Sequence, residues 1–141
     1  VVMHSIGAPK VDHSEVRYRD VLASMLDFFA DRIALCREAG LADDALVLDP
    51  GLGFAKRADD DLRVLARLGE LRRFGRPLLL PVSRKGVIGE TLGVDDPRDR
   101  DAGTQALIVR ALEAGAGIVR VHNVRAAYQT LAVVGAIPQP A

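Results

Sequence analysis

Three short stretches hold the residues able to do chemistry. Asp49-Pro50-Gly51-Leu52-Gly53-Phe54-Ala55-Lys56 follows the apolar run Leu46-Val47-Leu48; Ser83-Arg84-Lys85-Gly86 follows Leu78-Leu79-Leu80-Pro81-Val82; Arg120-Val121-His122-Asn123 follows Ile118-Val119. Each polar group stands at the end of a β-like apolar run. A carboxylate held at such an edge, followed by a backbone-exposing loop and a lysine, looks like a small-molecule site, and Arg120 with His122 would suit an anionic or aromatic ligand. Pro50, Gly51 and Gly53 force a tight loop after Asp49, because proline lacks a donor and glycine tolerates positive φ. Taken alone, Asp49-Pro50-Gly51 describes a plain turn equally well. Arg120 and His122 alternate along a strand and so share one face, with Val119 and Val121 on the other. An inward-facing pair between apolar neighbours is costly to bury unless a ligand, or an internal carboxylate, compensates it. His4 and Ser5 end the first apolar run and bring a fourth polar pair to the same kind of edge.

The elements that must position these groups alternate regularly. Strands are expected at residues 1–3, 46–48, 78–82 and 118–122, with Pro81 awkward inside a ladder because it removes a donor. Between them lie helical patterns. Ser14 is placed as the N-cap of the first, with Glu15 opening it. Val21, Leu22, Met25, Phe28, Phe29, Ile33 and Cys36 recur at helical spacing, and Gly40 takes the left-handed position that ends the helix. Asp59, Asp60 and Asp61 are expected at a solvated helix start, where the macrodipole favours acids, ahead of a buried stripe of Leu62, Leu65, Leu68 and Leu71 that Gly75 closes. Further helices are expected over residues 87–92, 101–114 and 125–134. Residues 6–13, with Gly7 and Pro9, form a loop, and residues 138–141 are set apart as a tail. Strands separated by helices pair in parallel through right-handed crossovers, so the fold class is α/β with four parallel β-α units. Such a set is either a small open sheet or half of a (β/α)8 barrel, whose whole length is about 250 residues. The opening Val1-Val2-Met3, in mid-strand and with no lead-in, favours half a barrel. Either way the functional edge is the C-terminal end of the strands.

Composition limits the rest. Lys and Arg total 19, balanced by 19 Asp and Glu, so no net charge calls for nucleic acid or an anionic membrane as partner. The single Cys36 cannot form an internal disulfide and points to a reducing compartment, the cytoplasm; on its apolar stripe it is a packing thiol. No apolar run is long enough for a membrane span.

The three polar stretches, in this order and spacing, resemble the C-terminal signatures of dihydropteroate synthase, and Val2-Met3-His4 resembles that family's fifth strand. The resemblance covers nearly the whole chain and implies residues 1–137 as β5 to α8 of a TIM (β/α)8 barrel. It implies a transferase of folate synthesis that joins a pterin-methyl diphosphate to p-aminobenzoate and releases pyrophosphate. Carried over by position, Asp49 would take the pterin's 2-amino and ring N–H groups, with Phe54 also in the substrate-binding set. Lys85 would contact the pterin ring beside the aminobenzoate, and Ser83 would lie near that second substrate. Arg120 would cover the pterin face and, with His122, hold the diphosphate; Lys85, Arg120 and His122 form the catalytic set. Mg2+ is the implied cofactor, with its main ligands in an N-terminal half that these residues do not include, and none among the residues here. A homodimer is implied for the complete protein. Three residues depart from the pattern: Asn123 stands for the usual Asp, Pro81 for Gly, and Ala55 for Gly. Asn123 is expected to loosen the neighbouring phosphate-binding pair. Two other readings use the same residues: a methyltetrahydrofolate–corrinoid methyltransferase barrel, against which Ser-Arg-Lys argues, and a non-catalytic pterin-binding remnant that assembles with another chain.

Overall fold

The computed structural model describes residues 1–7, 13 and 15–138. Its elements, in chain order, are β1 (Val2–Met3), α1 (Val21–Glu38), β2 (Leu48–Asp49), α2 (Ala58–Ala66), β3 (Leu79–Leu80), α3 (Gly86–Leu92), α4 (Asp101–Glu113), β4 (Ile118–Val119) and α5 (Val124–Ala136), with 3-10 turns at Asp43–Ala45, Leu68–Phe74 and Pro97–Arg100. β1 pairs in parallel with β2, placing Val2 opposite Leu48 and Met3 opposite Asp49. β3 pairs in parallel with β4, with Leu79 opposite Ile118 and Leu80 opposite Val119. A parallel bridge from Leu48 to Leu78 joins the two pairs. Strand order therefore follows chain order without a reversal, and every strand presents its C-terminal end to the same side.

The helices lie over this sheet because their apolar stripes must be buried. Val21, Leu22, Met25, Phe29 and Ile33 of α1 are buried, with Phe28 and Cys36 at the edge of the same stripe, as the spacing predicts. Gly40 adopts φ 80° as the first residue past the cap; its N–H donates to the Arg37 carbonyl and that of Leu41 to Cys36, which satisfies the last orphan acceptors. The start of α1 differs from expectation. Ser14 lies outside the described residues, and the helix begins at Val21 with Asp20 as N-cap, its Oδ1 accepting from the N–H groups of Leu22 and Ala23 at 2.9 and 3.1 Å. Asp20 prevails because its carboxylate stands directly before the apolar stripe and is held by Arg67 at 3.0 Å.

Two further expectations change. The helix after the glycine loop does not run unbroken to Gly75; it stops at Ala66 and tightens into the 3-10 turn Leu68–Phe74. On α2, Leu62 is 44% exposed, while Asp60 and Asp61 are buried beside Val64 and Leu65. The buried face of α2 thus begins with carboxylates. Pro81 disturbs nothing, because β3 ends at Leu80 and the ladder bond next to it runs from the Arg120 N–H to the Leu80 carbonyl, 3.1 Å. Of the expected tail, residues 139–141 lie outside the described residues. Among the described residues no helix is long and apolar enough to cross a membrane.

Candidate functional site

β2 delivers Asp49 to the sheet's C-terminal edge, where it is only 5% exposed. The chain then folds back on itself at Gly51, whose N–H donates to Asp49 Oδ1 at 2.7 Å and whose φ is 63°. A Cβ at Gly51 would be driven into the backbone carbonyl of His4, so the loop can cross β1 this closely only with glycine. Burial pushes the Asp49 carboxyl above its ordinary pKa, opposed by the Gly51 N–H and by the charges of Lys85, Lys56 and Arg120. Asp49 Oδ2 makes no hydrogen bond among the described residues. The carboxylate is thus anchored by one oxygen and open at the other, a geometry suited to receiving N–H donors.

The loop is fastened from both ends. Lys56 Nζ donates to the carbonyls of His4, Gly51 and Phe54 at 3.3, 3.0 and 3.1 Å. Its pKa is lowered to about 8, chiefly by burial, although Asp61, Asp49 and Asp60 all favour its charge. Asp61, 2% exposed, reaches up from α2 and accepts the Gly53 N–H at 3.0 Å. Burial raises its pKa to about 6 against the pull of that N–H, Lys56 and Lys85. Asp60 turns back to accept the Arg57 N–H at 3.2 Å, capping the helix. The aspartate run is therefore more than a solvated helix start: Asp61 is the floor of the glycine loop. Its signal lay in the helical period, since Asp61 precedes Leu65 and Leu68 by one and two turns.

Lys85 arrives from the β3 edge. Its Nζ donates to the Leu52 carbonyl at 2.7 Å and lies 4.8 Å from the centre of the half-exposed Phe54 ring. Burial lowers its pKa, while Asp49 and Asp61 oppose the shift. Ser83, two residues earlier, meets the β4 edge: the His122 N–H donates to Ser83 Oγ at 3.1 Å, and His122 Nδ1 lies 2.8 Å from the same oxygen. Pro81, Ser83, Arg120, Val121 and His122 line a cleft of about 230 Å3. Arg120 and His122 are exposed, since β4 ends at Val119 and both stand beyond it. The expected burial penalty therefore does not arise, and both donors face the opening.

His4 behaves differently from its neighbours at the edge. Its carbonyl serves Lys56, but its ring is 1% exposed and packs edge-on against Phe28 at 5.0 Å, with Tyr18 and Phe29 also alongside. Burial, aided by Lys56, lowers its pKa to about 4, so the ring is a neutral part of the core rather than a site donor. Asp49, Phe54, Ser83, Lys85, Arg120 and His122 are brought to one edge; the His4 ring is not.

The departures Ala55 and Asn123 have structural answers. Ala55 is buried in the left-handed region at φ 49°, where an L side chain is strained by roughly 1–2 kcal/mol. Asn123 is not loose: its Oδ1 accepts the Ala126 N–H as the cap of α5, and its Nδ2 donates to Asp101 Oδ2, both at 3.0 Å. Asp101 also pairs with Arg84 through two bonds of 2.8 and 3.1 Å, and these contacts hold its pKa down near 2. Sequence reasoning singles out neither Asp60, Asp61 nor Asp101 for the site.

Comparison with known proteins agrees with the motifs. The family described as "Pterin binding enzyme" matches residues 1–122. A dihydropteroate synthase of Synechocystis is 41% identical over 137 residues, 97% of this chain and 47% of that protein. The Escherichia coli K12 dihydropteroate synthase is 42% identical over 135 residues, 96% of this chain and 48% of that protein. Among solved structures, the Stenotrophomonas maltophilia dihydropteroate synthase with active site-bound imidazole superposes with TM-score 0.93 at 36% identity, covering 97% of this chain and 53% of that one. The dihydropteroate synthase of Thermus thermophilus gives TM-score 0.89 at 39% identity, covering 96% of this chain and 54% of that one. The chain spans about half the length of the curated relatives it matches.

Proposed function

The chain belongs to the pterin-binding enzyme family, and from that premise we propose that it forms the C-terminal half of a dihydropteroate synthase barrel, residues 1–137 supplying β5 to α8. The observation that carries the reading is the meeting of Asp49, Lys85 and the Ser83–Arg120–His122 cleft at the C-terminal ends of successive parallel strands. Strand order that follows chain order supports half of a closed barrel over a doubly wound sheet, in which the order reverses. Among the described residues no strand pairs with the outer edge of β1 or of β4, and there the other half would join.

In this reading the free Oδ2 of Asp49, with Oδ1 behind it, accepts from the pterin's 2-amino and ring N–H groups. Lys85 leaves the Leu52 carbonyl to meet the pterin ring, and Phe54 walls the same side. The planar guanidinium of Arg120 covers the ring face and, with His122, receives the diphosphate. Ser83, already bonded to His122, lies where the aminobenzoate enters. Heterolysis of the C–O bond sends its electron pair to pyrophosphate and leaves a pterin-stabilised cation, favoured by the Asp49 charge. The aniline nitrogen then forms the C–N bond and loses its proton to pyrophosphate or water, giving 7,8-dihydropteroate. Arg120 and His122 stabilise the charge that develops on the departing group.

Among the described residues no three His, Cys, Asp or Glu side chains gather to hold a metal ion. In this reading the main ligands for Mg2+ come from the other half of the barrel, and the residues of this chain hold the substrates. A cytoplasmic location and a homodimeric complete protein belong to the same proposal.

Calorimetry of the chain with a pterin tests the reading. Asp49→Ala should weaken binding at least tenfold, as expected when a charge-assisted pair of hydrogen bonds is lost. Equal affinity in both proteins refutes the assignment. The 141 residues alone should form no dihydropteroate, and robust turnover by them would overturn the half-barrel.

A further inference from the structure

The Ser83-Arg84-Lys85 loop and the Arg120–His122 segment must hold one relative position if they are to share a ligand, yet among the described residues only Ser83 Oγ and His122 join them at the mouth. Beneath them stands Asp101, the first residue of α4. One of its oxygens accepts from Arg84 Nε at 2.8 Å; the other accepts from an Arg84 terminal nitrogen at 3.1 Å and from Asn123 Nδ2 at 3.0 Å. The same turn grips the loop twice more. Thr104 Oγ1, buried, accepts the Arg84 N–H at 3.0 Å, and an Arg100 terminal nitrogen donates to the Arg84 carbonyl at 3.3 Å. Arg84 itself is held at φ 58°, a strained conformation that an exposed loop would not keep without such restraint. Asn123 completes the bridge by capping α5 with its other side-chain atom, so a single carboxylate ties the loop before Lys85 to the helix start after His122.

We infer that Asp101 is a positioning residue: it touches no ligand but fixes Lys85 and His122 relative to each other, so that the anion cleft is formed before anything binds. The inference concerns this chain's own loops and rests on the proposed function only for the identity of the anion. A bidentate guanidinium–carboxylate pair suits the task, since its two parallel bonds set orientation as well as distance. An amide at position 101 would keep one acceptor and lose both the charge and the fork.

The test uses the 141-residue chain, inorganic pyrophosphate as probe, and Asp101→Asn, with Ile33→Val as a core variant remote from the cleft. Amide hydrogen exchange reads the bracing directly, at the His122 N–H bonded to Ser83 and the Arg84 N–H bonded to Thr104. In Asp101→Asn both should exchange at least tenfold faster relative to amides in α1; in Ile33→Val they should not. Unchanged exchange at both positions overturns the inference. Calorimetry should show pyrophosphate bound about tenfold more weakly by Asp101→Asn, and recovery in the swap Asp101→Asn with Asn123→Asp, which returns a carboxylate to the same cluster. Affinity that is unaltered in the single variant, or unrecovered in the swap, overturns the assignment. If the unaltered chain binds no pyrophosphate, the phosphate assignment of the proposed function fails, and the exchange result alone decides whether Asp101 braces the loops.

Discussion

Asp61→Asn should make the protein more stable at neutral pH. In the folded chain Asp61 is 2% exposed and its pKa is raised from 3.8 to about 6, burial outweighing the attraction of Lys56 and Lys85. A carboxyl with a raised folded pKa binds its proton more tightly when folded. Its contribution is therefore most favourable below pH 4, declines as pH rises through 4 to 6, and is fully lost above that range. The gap between 3.8 and about 6 amounts to roughly 3 kcal/mol opposing the ionised form, at ~1.4 kcal/mol per tenfold change in proton affinity. Asparagine retains an oxygen for the Gly53 N–H and carries no charge, so it imitates the protonated acid at every pH. Urea unfolding of both proteins from pH 4 to 8 should show equal stability at pH 4 and a difference growing to about 2–3 kcal/mol in favour of Asn by pH 7.5. Lys56 and Lys85, whose charge Asp61 supports, should lose their protons at lower pH in the variant. An Asn variant equal to or weaker than the parent at pH 7.5, with no trend in pH, would refute the claim that the loop sits on a poorly solvated carboxylate.

Ala55→Gly should raise stability by about 1 kcal/mol in the same unfolding assay, because glycine is unstrained at φ 49°; a fall would mean that the buried methyl contributes more than the strain removes. Gly51→Ala should cost at least about 3 kcal/mol, since both the positive φ and the His4 carbonyl oppose a side chain, and a near-neutral effect would show that the loop can move off β1. Arg120→Gln should weaken a pterin diphosphate more than a phosphate-free pterin in calorimetry, whereas equal losses would assign Arg120 to the ring face alone.

What the sequence by itself determined is local and periodic. The alternation of β-like and helical patterns required parallel strands, and the three motifs could be put at strand ends because apolar runs stop where polar residues begin. The stripe of α1 and its glycine stop are likewise set by neighbours in the chain. The tertiary structure decided which polar residues leave water. Three successive aspartates look alike as a helix start, but the glycine loop folds down over α2 and encloses Asp61 while Asp59 stays exposed. His4 follows β1 and Asp49 ends its partner β2, yet α1 covers the ring of one and the carboxylate of the other faces the open edge. Arg84 and Asp101 are far apart in sequence and form no motif; they meet because α4 packs its first turn under the loop that follows β3. Burial and the pairing of distant charges depend on what packs above a residue: the helical period sets Asp61 in line with Leu65 and Leu68, but only the loop folded over it removes its carboxylate from water.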